Sequence, residues 1–176
     1  MANERDFYLT GAADLRRLAA QLREEGRRDL RNQLGARLRR SAAPLRDDLR
    51  EAILGVPIRG GGRGGARRSP RANGRNNRTA GLRETIAASI TATAILHGDA
   101  AGARVFIDYS KLPAQQRTLP GHINSGRWRH PTFGHSPWAT QYGREWWWPT
   151  IRPHMDRINR DAARILDDLR DRLERG

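Results

Sequence analysis

The 176-residue chain contains no cysteine and a single lysine, Lys111. Without cysteine there is no disulfide framework and no thiolate metal site. No apolar run approaches the roughly 20 residues that a membrane-spanning helix requires. The N-terminal stretch MANERDFYLTGAADLRRLAA is charged and lacks the apolar core of a secretion signal. These absences lead us to expect work in a cytoplasm, or in a particle assembled there, with no membrane partner. Catalytic signatures are missing too: there is no GxSxG elbow, P-loop or HExxH helix. The acidic residues lie mostly on the two terminal helical segments, balanced by arginines. The histidines are His97, His122, His130, His135 and His154. The stretch HPTFGH sets two of them five residues apart in a loop, but a zinc site needs further ligands at suitable spacing. Packing or surface roles are the plainer expectation. No enzyme activity, cofactor or metal is expected.

Arginine is abundant. The 33 basic residues face 19 acidic ones, a formal net charge of +14, and the position of that excess matters more than its size. Residues 1–58 carry 12 basic and 9 acidic side chains, a net +3. Residues 59–78, RGGGRGGARRSPRANGRNNR, carry seven arginines and no acid. Half the net charge therefore sits in about a tenth of the chain. Glycine and proline at this density prevent a regular element, and no large apolar residue is present to offset chain entropy. A flexible basic loop is expected. Its arginines, Arg59, Arg63, Arg67, Arg68, Arg71, Arg75 and Arg78, either keep it solvated or contact a polyanion, whether nucleic acid or an acidic protein surface.

Three units follow: an N-terminal helical segment at 1–58, the basic loop at 59–78 and an α+β core at 79–176. In the first, Leu15, Leu18, Leu22, Leu30, Leu34, Leu38, Leu45 and Leu49 form an apolar stripe at helical spacing. Pro44 is expected to divide it into helices at about 12–41 and 44–54, packing on one surface only. Thr79 is placed to cap a helix over 80–90 that carries Leu82, Ile86 and Ile90. Two β-branched runs within 91–109 form a hairpin around GDAA. Residues 111–126 read as loop, and two short extended stretches follow at about 127–142. From 149 to 175, Ile151, Met155, Ile158, Ala162, Ile165, Leu169 and Leu173 mark a helix opened by Pro149 or Thr150. The expected fold is α+β. A long N-terminal helix accompanies a small antiparallel sheet, which packs against helix 80–90 and the C-terminal helix.

All five tryptophans fall within GRWRHPTFGHSPWATQYGREWWWP, residues 126–149. Consecutive side chains cannot all face one core, so Trp146, Trp147 and Trp148 cannot be explained by burial on a single face. Two or three of the five rings are expected to fill the core. Tryptophan, tyrosine and arginine also dominate protein contact hot spots, and Arg127, Arg129 and Arg144 interleave with these rings. Trp128, Trp138, Trp146, Trp147, Trp148 and Arg144 are therefore candidate subunit-interface residues, with at least one of Trp146 to Trp148 at the contact.

The order of these parts resembles the tail-completion family of long-tailed bacteriophages, minor proteins at the head–tail junction. TAGLRETIAASI is similar to that family's G-x-L-R-x-S-I helix, with Thr85 in place of the usual serine. The strand pair TATAILHG and ARVFIDY comes next. A loop then ends near H-P-x-F-G, here His130, Pro131, Phe133 and Gly134. A proline-bearing opening of the last helix follows, here WWWPTIRPHMDRI. Relatives from phages of actinobacteria are similar in their RWRHP-x-FG and W-x-x-Q stretches, here Arg127 to Gly134 and Trp138 to Gln141. The likeness covers residues 79–175, and its specificity lies in the order of short pieces. It implies a structural virion protein, tail-completion or tail-terminator-like. Such a protein forms a homo-oligomeric ring, six-fold by expectation, between head-completion and tail-tube proteins, with DNA passing through its lumen. The loop 59–78 is more basic than the family pattern, so its role is not inherited. The alternative is a small nucleic-acid-binding protein that uses the Arg/Gly loop. Oligomeric state separates the two.

Overall fold

The computed structural model describes residues 7–8, 12–60, 81–97, 101–132 and 135–175. It is mixed α+β, as expected. In chain order the elements are strand β1 (Phe7–Tyr8), helices α1 (Ala12–Glu24) and α2 (Arg28–Gly55), strand β2 (Arg59–Gly60) and helix α3 (Leu82–Ser89). Strands β3 (Ile90–Ile95) and β4 (Gly102–Ile107), helix α4 (Leu119–Asn124), strands β5 (Arg127–Thr132) and β6 (His135–Tyr142), and helices α5 (Trp147–Ile151) and α6 (Met155–Glu174) complete it. The strands form two separate three-stranded antiparallel sheets, β1-β4-β3 and β2-β6-β5, rather than one.

The N-terminal helical segment breaks at Gly26, not at Pro44. Gly26 has φ +69, a left-handed conformation that costs glycine little. Its N–H donates to the Arg23 carbonyl at 3.2 Å, and the Arg27 N–H reaches the Leu22 carbonyl at 2.9 Å. This pair of bonds closes the end of α1 as a Schellman motif. Pro44 instead lies within a continuous 28-residue α2. It is exposed, so the carbonyl that its missing N–H would have served lies on the solvent side of the helix. Leu34, Leu38, Leu45, Leu49 and Ile53 are fully buried on the other side, and their packing carries the helix through.

That packing also revises the expected layering. α2 lies across β3 and β4, and its other sides meet α1, α3, α5 and α6. The first sheet is therefore covered by α2, while α6 packs chiefly against α2. The leucine stripe underestimates the buried face because small residues complete it. Ala42 is buried, and a Cβ at buried Gly35 would stand 3.5 Å from Leu96 and 3.9 Å from Ala94. Gly35, which weakens an isolated helix, faces the end of β3 with room for a Cβ at ordinary contact distance.

The α3 motif has a structural role. Gly81 occupies the N-cap position with φ +99, whereas Thr79 lies outside the described residues. Arg83 donates to the carbonyls of Leu54 and Val56 at 3.1 and 2.9 Å. A guanidinium thus serves carbonyls at the end of α2 and complements its dipole. The Thr85 hydroxyl donates to the Gly81 carbonyl at 2.5 Å, a bond that serine can also make. Ile90 is the first residue of β3 rather than the last of the helix.

Two further expectations change. Residues 111–126 are not all loop, because α4 forms within them. The last helix starts at Trp147, and a 3₁₀ turn at Arg152–His154 separates α5 from α6 where Pro153 lacks an N–H. Such a turn advances each residue by about 120° instead of about 100°. The apolar phase slips accordingly: Ile151, Ile158, Ile165 and Leu169 are buried, but Met155 is 37% exposed. Leu166, outside the expected stripe, is buried. No described helix is long and apolar enough to cross a membrane.

Candidate interaction surface

The tryptophan-rich segment builds the second sheet and the start of α5. In β5 and β6, Arg127 pairs with Tyr142, Trp128 with Gln141 and Arg129 with Thr140. Pairs opposite one another share a face, and alternate positions share it too. Arg127, Arg129, Trp138, Thr140 and Tyr142 therefore form one row. Trp128, Ala139 and Gln141 form the other.

The second row faces inward. Trp128 is buried, and the His122 ring stacks on it with centroids 6.3 Å apart and planes 14° apart. His122 belongs to α4, which packs on β5. The outer row is open: Trp138 is 56% and Tyr142 44% exposed, and Arg127 and Arg129 are exposed. The Arg127 guanidinium stands 6.0 Å from the Tyr142 ring centroid and that of Arg129 stands 5.9 Å from Trp138. Both lie near the outer limit of cation–π contact, so a partner can replace them at small cost. Strand β2 sets Arg59 opposite Tyr142, and the chain then enters residues 61–80. Arg63, Arg67, Arg68, Arg71, Arg75 and Arg78 lie outside the described residues.

The three consecutive tryptophans divide by a helix start. Trp146 and Trp147 are both buried, with rings 5.3 Å apart at 88°, an edge-to-face arrangement favoured by aromatic quadrupoles. Asn124 Oδ1 accepts from the backbone N–H groups of both residues, each at 3.0 Å. One side chain at the end of α4 thereby satisfies two donors at the start of α5. The indole Nε1 atoms of Trp146 and Trp147 are buried and have no acceptor among the described residues. Trp148 is partly buried against the core, and the three rings line a cavity of ≈ 40 Å³ with Ile107, Pro120, Gly121 and Asn124. Gly143 permits the tight junction beside it, because a Cβ there would lie 2.5 Å from the Ile123 carbonyl oxygen.

The candidate interface residues thus part company. Trp128, Trp146 and Trp147 serve this chain's own core, Trp138 and Arg144 are exposed, and Trp148 is intermediate. If a neighbour contacts the WWW stretch, that contact falls to Trp148. Arg127, Arg129 and Tyr142 were legible as part of the aromatic segment, but the strand register is what sets them beside Trp138. Among the described residues no group of three His, Cys, Asp or Glu is placed to hold a metal ion. No family model, curated protein or solved structure matches the chain.

Proposed function

We propose that the chain is a structural virion protein of a tailed phage, a tail-completion or tail-terminator-like ring component at the head–tail junction. The observation that carries this reading is the open row of Arg127, Arg129, Trp138 and Tyr142. Exposed aromatic rings flanked by arginine have the composition of a protein contact centre. The order of elements supports it as well: a long helix, the GLRETI helix, a strand pair, a hairpin containing HPTFG and a terminal helix opened by WWWP. The partners are further copies of the chain, in a ring of six, together with head-completion and tail-tube proteins above and below.

The basic segment 59–78 is assigned as a docking arm on an acidic face of an adjoining ring. Six copies of a +7 segment would place about 42 charges in a lumen, and duplex DNA carries one charge per about 1.7 Å of axis. Such a wall would hold DNA too firmly for passage. Native mass measurement of the purified protein, and location of its density in intact virions, test the proposal. A ring disrupted by Trp138→Ala is the expected result. A monomer or dimer that binds DNA unchanged by Trp138→Ala overturns it in favour of a small nucleic-acid-binding protein. That second reading is favoured by one observation: the backbone of Arg59 pairs with that of Tyr142, so the basic segment begins beside this sheet.

A further inference from the structure

The terminal helical segments interleave their charges along the sequence, but they do not do so in space. Along their contact α2 and α6 run antiparallel: Gln33 accepts from Arg172, Asp168 from Arg37, and Asp48 pairs with His154. Midway along this contact lies a cleft of ≈ 320 Å³ lined by Arg37, Arg40, Ser41, Arg157, Asp161 and Arg164. Four guanidiniums meet one carboxylate there, whereas residues 149–175 as a whole hold 7 basic and 6 acidic side chains. Internal pairing leaves much of this charge unspent. Arg37 is bonded to Asp168 through Nη2, but its buried Nη1 has no acceptor among the described residues. Among the described residues Arg157 Nη2 reaches the His154 Nδ1, at 2.9 Å, and no carboxylate. Arg40, Arg164 and Asp161 form no ion pair among the described residues.

We propose that this cleft is a phosphate-binding groove and that its ligand is the sugar–phosphate backbone of nucleic acid. Guanidinium forks match phosphate oxygens in geometry and charge, and the Arg37–Asp168 pair and Asp161 together leave positive charge in excess among the described residues. The shape decides between a strand and a small anion. Arg157 and Arg164 are two helical turns apart, about 10 Å along α6. The positive charge is thus drawn out along a groove instead of converging on one point, which suits successive phosphates. The site is distinct from the basic segment 59–78 and from the Trp138 row, and it requires no ring assembly.

The test compares two double variants, both built with Arg63, Arg67, Arg68 and Arg71 replaced by Ser so that the basic segment does not mask the result. One removes cleft charge, Arg40→Ser with Arg164→Ser. The other removes equal charge elsewhere, Arg117→Ser with Arg152→Ser. Binding to a labelled DNA duplex is followed by anisotropy across a salt series. Loss of two phosphate contacts lowers the slope of log affinity against log salt by about 1.8. From about 50 to about 200 mM salt, the parent's advantage over the cleft variant should therefore shrink about tenfold. The control variant should keep the parent slope. Equal changes in both variants, or none in the cleft variant, overturn the proposal. Calorimetry with pyrophosphate covers the other source of the same chemistry. Pyrophosphate binding abolished by the cleft variant, with the DNA slope intact, would assign the groove to a small phosphorylated ligand and overturn the nucleic-acid assignment.

Discussion

The two sheets are alike in plan, each antiparallel and three-stranded, yet they treat their faces differently. The first lies under α2, a 28-residue helix, and turns Ala103, Val105 and Ile107 inward in alternation along β4. A long helix supplies enough apolar surface to cover a sheet with aliphatic side chains alone. Among the described residues, the helix that chiefly packs on the second is the six-residue α4. One large ring, Trp128, with His122 stacked on it, does there what several aliphatic residues do in the first sheet. Its outer row has no described cover, and Trp138 and Tyr142 are exposed on it. Where cover is scarce, aromatic residues fill the inside and also remain outside. Composition alone does not tell these two uses of tryptophan apart.

Paired substitutions break this comparison most sharply. Trp128→Ala should cost about 3–5 kcal/mol of stability, the usual loss for a buried tryptophan, read by denaturant unfolding. Trp138→Ala should leave monomer stability within about 0.5 kcal/mol but remove about 2 kcal/mol or more of association. Equal unfolding curves for the two variants would erase the distinction between the faces. A second contrast concerns the helix that packs on α2. Leu169 is fully buried while Met155 is 37% exposed. Leu169→Ala should cost about 2–5 kcal/mol, and Met155→Ala should fall near or below about 0.5 kcal/mol. A large loss from Met155→Ala would show that the 3₁₀ turn does not rotate it out of the core.

Smaller effects sharpen the account of the first sheet. Arg83→Ala should cost about 1–3 kcal/mol, because charged hydrogen bonds from Arg83 hold the Leu54 and Val56 carbonyls. Both bonds leave a single nitrogen, Nη1, so Arg83→Lys should recover part of the loss. The smallest effect is acid sensitivity. Hydrogen bonds from Arg46, Ser110 and Arg37 hold Asp47, Asp108 and Asp168 respectively below the ordinary carboxylate value of 3.8. A lowered folded pKa gives stability that is present above the unfolded value and lost as pH falls through the folded one. Melting temperature should therefore decline below about pH 4, with a shallower decline in Asp168→Asn. Asp47 and Asp168 are exposed and Asp108 is half-buried, so solvent screening keeps the effect slight. A melting temperature that rises on acidification would contradict the assignment.

Periodicity made much of the fold legible before any coordinates. Of the stripe Leu15, Leu18, Leu22, Leu30, Leu34, Leu38, Leu45 and Leu49, all are buried but Leu30, which follows the break at Gly26 and is only partly buried. The hairpin of β3 and β4 was readable from its β-branched alternation. α4 escaped notice because LPGHIN has no apolar period over six residues. The helix break was misplaced because Pro44 is a strong local signal, and only the buried leucines around it show why the helix continues. Gly26, by contrast, carries the reversal because its positive φ completes two capping bonds. Of the candidate contact residues, Trp138 was visible as one of five rings, but nothing local distinguished it from Trp128. The arginine cleft was not legible at all, since Arg37 and Arg164 are more than a hundred positions apart.

The sequence by itself determined the long apolar helical stripes, the aliphatic hairpin and the segregation of charge into residues 59–78. These depend on neighbours within a few residues, and local periods of 3.6 and 2 record them directly. Tertiary structure decided which helix covers the first sheet, which tryptophans are buried and which four arginines line one cleft. Those outcomes depend on pairings between distant residues. Their free energies come from burial and electrostatics in a shared environment, and no local window of sequence contains that environment.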